Sequence, residues 1–162
     1  TEVGAMTLNE IDFTHSEWVL SPERTKANRR HVVPVTSLGI DVLENVPSTC
    51  GTHLFSSSFG ANPISNYGDA KLELVQMTQL ENFRLNDLRD TVGTVMRERL
   101  EISSDVIGQV LNHAPEGVTQ KHYCPSHSPK DKRKALIKWD RYLDNLVHET
   151  KADNIIQFPG VG

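Results

Sequence analysis

The stretch EWVLSPERTKANRRHVVPV, residues 17–35, predicts a β-hairpin near the start of the chain. Its two ends, Glu17–Leu20 and His31–Val35, are short runs rich in β-branched and aromatic residues, which favour strands. The polar segment between them places Ala27–Asn28 where the hairpin would turn. With the residues that precede it, the stretch predicts a small antiparallel sheet over Ile11–Val35, and Pro34 suits its edge because proline cannot donate to a ladder.

Amphipathic helices are predicted for most of the remaining chain, because apolar residues recur there at helical spacing. The first expected helix begins at a Thr36 or Ser37 cap, and two more span Asp69–Leu80 and Asn86–Leu100. Another follows a Ser103 or Ser104 cap, a short helix includes Val118–Tyr123, and the last helix runs from Pro129 to about His148. The apolar sides of three of them are expected to be buried, with stripes of Leu72, Leu74, Val75 and Met77; of Leu88, Val92, Val95, Met96 and Leu100; and of Leu136, Trp139, Leu143 and Leu146. The predicted fold class is therefore α+β and mainly α-helical, with a three-stranded antiparallel sheet packed on a helical bundle.

The composition is typical of one soluble globular domain. The chain has 162 residues, of which 37% are hydrophobic and 23% are charged. We expect one domain over residues 1–150 and a separate tail over 151–162. The two cysteines, Cys50 and Cys124, do not suggest a disulfide framework, and no apolar run is long enough for a bilayer. The expected location is a reducing, cytoplasmic compartment, and no membrane partner is expected.

Charge is unevenly distributed. The net charge is -4, which argues weakly against nucleic-acid binding. However, Arg24, Lys26, Arg29 and Arg30 lie within seven residues, and several lysines surround Tyr123. A chain that is acidic overall can still present one basic face.

The segment LNHAPEGVTQKHY, residues 111–123, allows three interpretations: a phosphate-handling site, a metal site, or ordinary packing. Its neighbourhood contains the possible zinc ligands His113, His122, Cys124 and His127. Neither a CxxC pair nor an HExxH motif is present, so we expect no metal. A helix-turn-helix over Asp90–Leu111 is a further alternative, but its second helix has only Gln109 as an evident base reader.

Phosphoryl transfer without a metal needs cations around the phosphate oxygens, a nucleophile in line, and an acid for the leaving oxygen. Arg89, expected in the first turn of a helix, can bridge two phosphate oxygens with its planar fork. His113 can donate a hydrogen bond, Lys26 can donate a proton, and the hydroxyl of Tyr123 can attack phosphorus to form a covalent ester.

Taken singly, each of these residues also has an ordinary structural interpretation. Tyr123 is a half-buried tyrosine in that case, and Arg89 forms a surface ion pair with Glu2 or Asp90. His113 is then a residue at a helix C-terminus favoured by the dipole, and Lys26 is a solvated loop charge.

Four stretches in order, RTKANRRHVVPVT, FRLNDLRDTVGT, IGQVLNHAPEGVTQKHY and KDKRKALIKW, resemble the catalytic domain of tyrosine recombinases, the phage-integrase family. The resemblance is greatest to integrases of prophages and genomic islands, and it extends from about Thr1 to Trp139. It implies the tyrosine recombinase catalytic-domain fold and a site-specific DNA recombinase that needs no metal and no nucleotide cofactor.

The resemblance also implies a role for each matching residue. Tyr123 matches the nucleophile that forms a 3′-phosphotyrosyl link, and Arg89 matches the second arginine of the phosphate clamp. His113 matches the histidine that contacts a non-bridging oxygen, and Lys26 matches the lysine that protonates the departing 5′-oxygen. Glu2 matches the acid three residues after the first catalytic arginine of the family.

Two departures from the family pattern affect these expectations. The first catalytic arginine would lie two residues before Thr1, so we expect residues 1–162 alone to cleave DNA poorly. Asn86 occupies the position of a histidine or lysine, and asparagine cannot shuttle a proton near neutral pH. Asn86 could also cap its helix. A catalytically impaired prophage remnant that binds DNA is therefore the alternative function, and a type IB topoisomerase-like enzyme is a more distant one.

The resemblance implies double-stranded DNA attachment sites as the partner, and a homotetramer on two paired sites as the working form. An accessory protein that directs excision is a further possible partner, and association with the nucleoid is implied. The residues expected to contact DNA are Arg24, Arg29, Arg30, His31, Lys121 and His122.

Overall fold

The computed structural model describes residues 2–47, 51–56, 58–113 and 129–148, which form a mixed α/β fold. The strands are β1 (Ile11–Asp12), β2 (Glu17–Leu20) and β3 (His31–Pro34). The α-helices are α1 (Ser37–Glu44), α2 (Tyr67–Thr78), α3 (Leu85–Glu98), α4 (Ser104–Val110) and α5 (Pro129–His148), and Leu8–Glu10 and Pro22–Arg24 are short 3-10 helices. The predicted helix over Val118–Tyr123 and the tail over 151–162 lie outside the described residues.

The sheet is antiparallel in the order β1-β2-β3, as the sequence predicts. Trp18 on β2 lies opposite Ile11 on one side and opposite Val33 on the other. Because side chains alternate across a strand, Trp18 and Leu20 point to the same face, and both are buried. β3 is an outer strand of this sheet, so Pro34 lies at an edge, as predicted.

The connection between β2 and β3 is held by one buried hydroxyl. Thr25 Oγ1 accepts a hydrogen bond from the N–H of Arg29 at 3.1 Å and donates to the Arg29 carbonyl at 2.8 Å. Asn28 has a φ of 48°, in the left-handed region that asparagine tolerates, so the chain turns where the sequence predicts the tip. This loop fixes the start of the Arg29 side chain.

Two hydrophobic clusters form the core, and α5 packs against β3 and α4 to join them. The sheet cluster consists of the buried residues Met6, Ile11, Trp18 and Leu20. The helical cluster consists of the buried residues Met96, Ile102, Ile107 and Ala135, with Trp139 packed against it. Since burial of apolar surface contributes roughly 25 cal/mol per Å², these clusters are the main stabilising features of the described fold.

The expected burial of the apolar stripes is only partly correct. The helix boundaries agree within two residues, and α5 has the predicted bounds. However, Leu72 and Met77 on α2 are 58% and 77% exposed, and Leu88 on α3 and Leu146 on α5 are also exposed. Periodicity identifies the apolar side of a helix, but it does not establish that a neighbouring element covers that side.

None of the helices within the described ranges combines the length and the hydropathy needed to span a bilayer.

Candidate active site

The end of α4 forms the centre of the site. We call residues 110–113 the α4 turn. Asn112 adopts a left-handed φ of 53°, and the N–H of His113 then donates to the carbonyl of Gly108 at 2.7 Å. The last carbonyls of a helix lack partners within the helix and carry partial negative charge, so they attract hydrogen-bond donors.

Donors from three different elements meet this turn. The ring of His31, at the start of β3, donates to the carbonyl of Val110. The guanidinium of Arg89 on α3 donates to the carbonyl of Leu111. Arg29, in the hairpin loop, donates through Nε and Nη2 to Oδ1 of Asn112 at 3.2 and 3.1 Å.

A group of positive charges surrounds His31, and we call Arg29, Arg89 and Lys132 the cationic cluster. Burial lowers the pKa of His31 to about 4, and the charges of Lys132, Arg29 and Arg89 contribute to this shift. Burial also lowers the pKa of Lys132, whose ammonium donates to the carbonyl of Val32. His31 is therefore neutral near pH 7, and the net positive charge of the region comes from the other three side chains.

The site is open at one side. Arg89 and His113 are both exposed, whereas His31 is only 8% exposed. A guanidinium fork at the surface can bind two oxygens of a phosphate, and a neighbouring imidazole can donate one more hydrogen bond. The arrangement can thus bind an anion that approaches from solvent.

Arg24 lies in a second, separate network. It donates to Glu10 Oε1 at 2.5 Å and to the carbonyls of Glu2 and Ala5 at 3.1 and 2.8 Å. Burial alone would raise the pKa of Glu10, but hydrogen bonds from Arg24, Trp18 and the Thr7 N–H outweigh burial and lower it. Arg24 thus connects Glu10 to the backbone of residues 2 and 5, and these contacts stabilise the fold.

Lys26 and Glu2 are near each other but are not joined to the α4 turn. The backbone N–H of Lys26 donates to Oε1 of Glu2 at 3.4 Å, and the Lys26 side chain is exposed. Within the described ranges, no hydrogen bond or ion pair connects either residue to the turn that carries His113.

Asn86 lies one turn before Arg89 on α3, where its amide donates to Oδ2 of Asp90 at 3.2 Å. The prediction that Asn86 caps this helix is wrong. The helix begins at Leu85, because the carboxylate of Asp87 accepts the backbone N–H of Arg84 at 2.8 Å and makes Arg84 the N-cap. Arg89 is consequently just past the first turn. Among the described residues it forms no ion pair with Glu2 or Asp90, as its ordinary structural interpretation would have it, and it donates instead to the carbonyl of Leu111 in the α4 turn.

The remaining predicted residues are placed as follows. Arg30 is exposed beside Arg29. Lys121, His122 and Tyr123 lie outside the described residues, as do the possible metal ligands Cys124 and His127. Among the residues that the structure does describe, no group of three or more histidine, cysteine or acidic side chains is arranged to hold a metal ion.

Sequence reasoning did not single out Lys132 or Asn112. A signal for Lys132 exists, because it precedes Ala135, Leu136 and Trp139 at helical spacing and so lies on their half-buried side of α5. A signal for Asn112 is weaker: asparagine tolerates the left-handed conformation that often ends a helix.

Comparisons with known proteins indicate a distant relationship. No family model matches the chain, and no solved structure matches it. The chain is 26% identical over 140 residues to the prophage integrase IntA of Escherichia coli (strain K12), a match that includes 85% of this chain and 33% of that protein. The chain therefore spans about a third of the length of this relative. It is distantly similar to an integrase-type protein.

Proposed function

We propose that residues 1–150 belong to the catalytic domain of a site-specific DNA recombinase of the tyrosine recombinase type. The enzyme cleaves and rejoins DNA strands through a covalent 3′-phosphotyrosyl intermediate, and it integrates or excises a mobile element. The distant similarity to a prophage integrase supports the broader part of this proposal.

The observation that carries the proposal is the convergence of distant motifs on the α4 turn. Arg29 contacts Asn112 across 83 positions of sequence, and Arg89 contacts Leu111 across 22 positions. Residues of the hairpin loop, of α3 and of the α4 turn thus meet in one positively charged region. A site for one backbone phosphate needs such a combination.

In the proposed reaction, Arg89 exchanges its carbonyl partner for two phosphate oxygens, and His113 binds a non-bridging oxygen. The hydroxyl of Tyr123 gives its proton to solvent water, and its oxygen forms a bond to phosphorus as the bond from phosphorus to the 5′-oxygen breaks. The ammonium of Lys26 supplies the proton to the leaving 5′-oxygen. The phosphotyrosyl ester conserves the energy of the broken bond, so rejoining needs no nucleotide cofactor.

The proposed partner is double-stranded DNA that carries attachment sites, and the proposed working form is a homotetramer on two such sites. Arg30 is proposed to contact the DNA backbone, because an exposed cation attracts phosphates. Lys121 is proposed as a second such contact from its charge alone. An accessory protein that directs excision remains part of the proposal.

A second candidate function is a catalytically impaired remnant that binds DNA without cutting it. Asn86 favours this candidate, because the amide pairs with Asp90 and cannot transfer a proton. The same cationic cluster would serve both functions.

Incubation of the full-length protein with a nicked attachment-site duplex separates the two candidates. The recombinase forms a covalent protein–DNA product, which disappears in Tyr123→Phe and falls at least about a hundredfold in Arg89→Gln. Retarded DNA with no covalent product from the unmodified protein would support the remnant. Arg97→Gln, on the same helix but outside the site, is the matched control and should leave the product unchanged.

A further inference from the structure

The guanidinium of Arg29 is occupied by contacts inside the protein. Its Nε and Nη2 both donate to Asn112 Oδ1, and Nη2 also donates to the carbonyl of His113. The adjacent Arg30 is exposed and makes no hydrogen bond or ion pair with any residue that the structure describes. Two neighbouring arginines of one loop therefore have different surroundings.

The direction of His113 depends on the residue before it. Asn112 leaves α4 with a left-handed φ of 53°, which lets the His113 N–H return to the Gly108 carbonyl. Such a conformation disfavours most side chains, and asparagine and glycine accept it. The side-chain oxygen of Asn112 is held in place by two of the N–H groups of Arg29.

We propose that Arg29 is a positioning residue for His113, which it holds through the Asn112 side chain and the His113 carbonyl. This inference rests on the proposed function for what His113 does once it is in place. The planar guanidinium suits this task, because it donates to two acceptors at fixed angles. Both acceptors are neutral oxygens, so these contacts leave the positive charge of Arg29 in place. The role differs from direct contact with DNA.

Two substitutions separate positioning from DNA contact. Arg29→Gln removes the fork and the charge. Asn112→Gly removes the acceptor, keeps the left-handed turn accessible, and leaves every cation in place. Arg30→Gln is the matched control for the exchange measurement without DNA, because it removes an equal charge from the next residue without touching the turn.

The first measurement is amide hydrogen exchange of His113 in the full-length protein without DNA. Positioning by Arg29 predicts exchange about tenfold faster in Arg29→Gln, which loses the contacts to both acceptors. Asn112→Gly loses only the side-chain acceptor, so its exchange should be faster than in the unmodified protein but slower than in Arg29→Gln. The double variant should exchange no faster than Arg29→Gln, because that change already removes the contacts of residue 29 to both acceptors. Arg29→Lys keeps the charge but lacks the fork, so it should resemble Arg29→Gln. Exchange that stays at the unmodified rate in Arg29→Gln would overturn the proposal.

The second measurement is cleavage of the nicked attachment-site duplex. Positioning predicts a slower rate at saturating DNA, about tenfold, in Arg29→Gln and in Asn112→Gly, with DNA affinity unchanged in Asn112→Gly. A normal rate at saturating DNA with weakened affinity in Arg29→Gln alone would instead make Arg29 a DNA contact and overturn positioning. If the unmodified protein forms no covalent product, the proposed function fails, and the exchange measurement still decides whether Arg29 positions His113.

Discussion

Arg24 and Arg29 lie five positions apart in the same hairpin loop, but the groups that accept their hydrogen bonds differ in charge. Arg24 is paired with the carboxylate of Glu10, which lies against Trp18 of the sheet cluster. Arg29 reaches the α4 turn, where its acceptors are the neutral oxygens of Asn112 and His113. One loop therefore contributes to two polar networks of different character.

The difference separates stabilisation from binding. In the Arg24 network, the positive charge is neutralised inside the protein, so an external anion gains little from it. In the α4 turn, Arg29 adds to the charges of Arg89 and Lys132, which together help to keep His31 neutral. Glu17 offsets part of the charge of Lys132, and the excess positive charge beside exposed side chains is where an anionic partner gains most.

The largest expected effect tests the Arg24 network, in which the positive charge is neutralised inside the protein. Arg24→Met should lower the free energy of unfolding by roughly 3 kcal/mol, because it leaves the partly buried Glu10 without its counter-charge. Arg29→Met should cost only about 1 kcal/mol, since its acceptors are neutral. Urea unfolding of both variants measures the difference. Equal losses would remove the distinction between the two networks.

A double variant sharpens the same point. Replacing Glu10 with Gln in the Arg24→Met background should recover part of the lost stability, because the isolated carboxylate is then absent. Additive losses in the double variant would indicate that Arg24 and Glu10 contribute independently.

The next effect concerns the acid stability of the α4 turn. The pKa of His31 is about 4 in the folded chain and 6.5 when unperturbed, so the unfolded state binds the proton more readily. The stabilisation from neutral His31 is complete above pH 6.5 and is lost as pH falls towards 4. Between pH 8 and pH 5 this histidine should cost about 2 kcal/mol of unfolding free energy.

Urea unfolding at several pH values, with His31→Gln as the comparison, checks this slope. The glutamine variant should lose that part of the pH dependence while the exposed His15 continues to titrate. A His31→Gln protein with an unchanged slope between pH 6.5 and 5 would contradict the assignment to His31.

The smallest expected effect tests anion binding beside the cationic cluster. Inorganic phosphate at about four times its dissociation constant should stabilise the protein by roughly 1 kcal/mol, by mass action. Arg89→Gln should reduce this gain, whereas Arg24→Met should retain it. Thermal unfolding at matched ionic strength measures both. An equal gain in Arg89→Gln would assign the effect to general exclusion of the salt from the protein surface.

The local pattern predicted the sheet and most helix bounds because strand and helix periods are properties of neighbouring residues. Glu17–Leu20 alternates in burial, and α5 starts at Pro129 after a serine, both of which can be read from short windows. The exposure of Leu72 and Met77 could not be read in this way, because burial depends on which distant element packs there.

The site was predictable only as a set of residue types. The sequence indicated Arg89 and His113 as partners, but the bond from Arg29 to Asn112 joins residues 83 positions apart. The half-buried position of Lys132 also depends on how α5 packs against β3. Such contacts follow from the tertiary arrangement, and no local spacing encodes them.

The outer edge of β3 has a consequence for how the protein behaves at high concentration. An exposed strand edge offers free backbone groups that can recruit a strand from another molecule. Here Lys132 occupies the carbonyl of Val32, and Pro34 has no N–H to offer. The lysine that adds charge beside His31 therefore also discourages edge-to-edge aggregation of the hairpin.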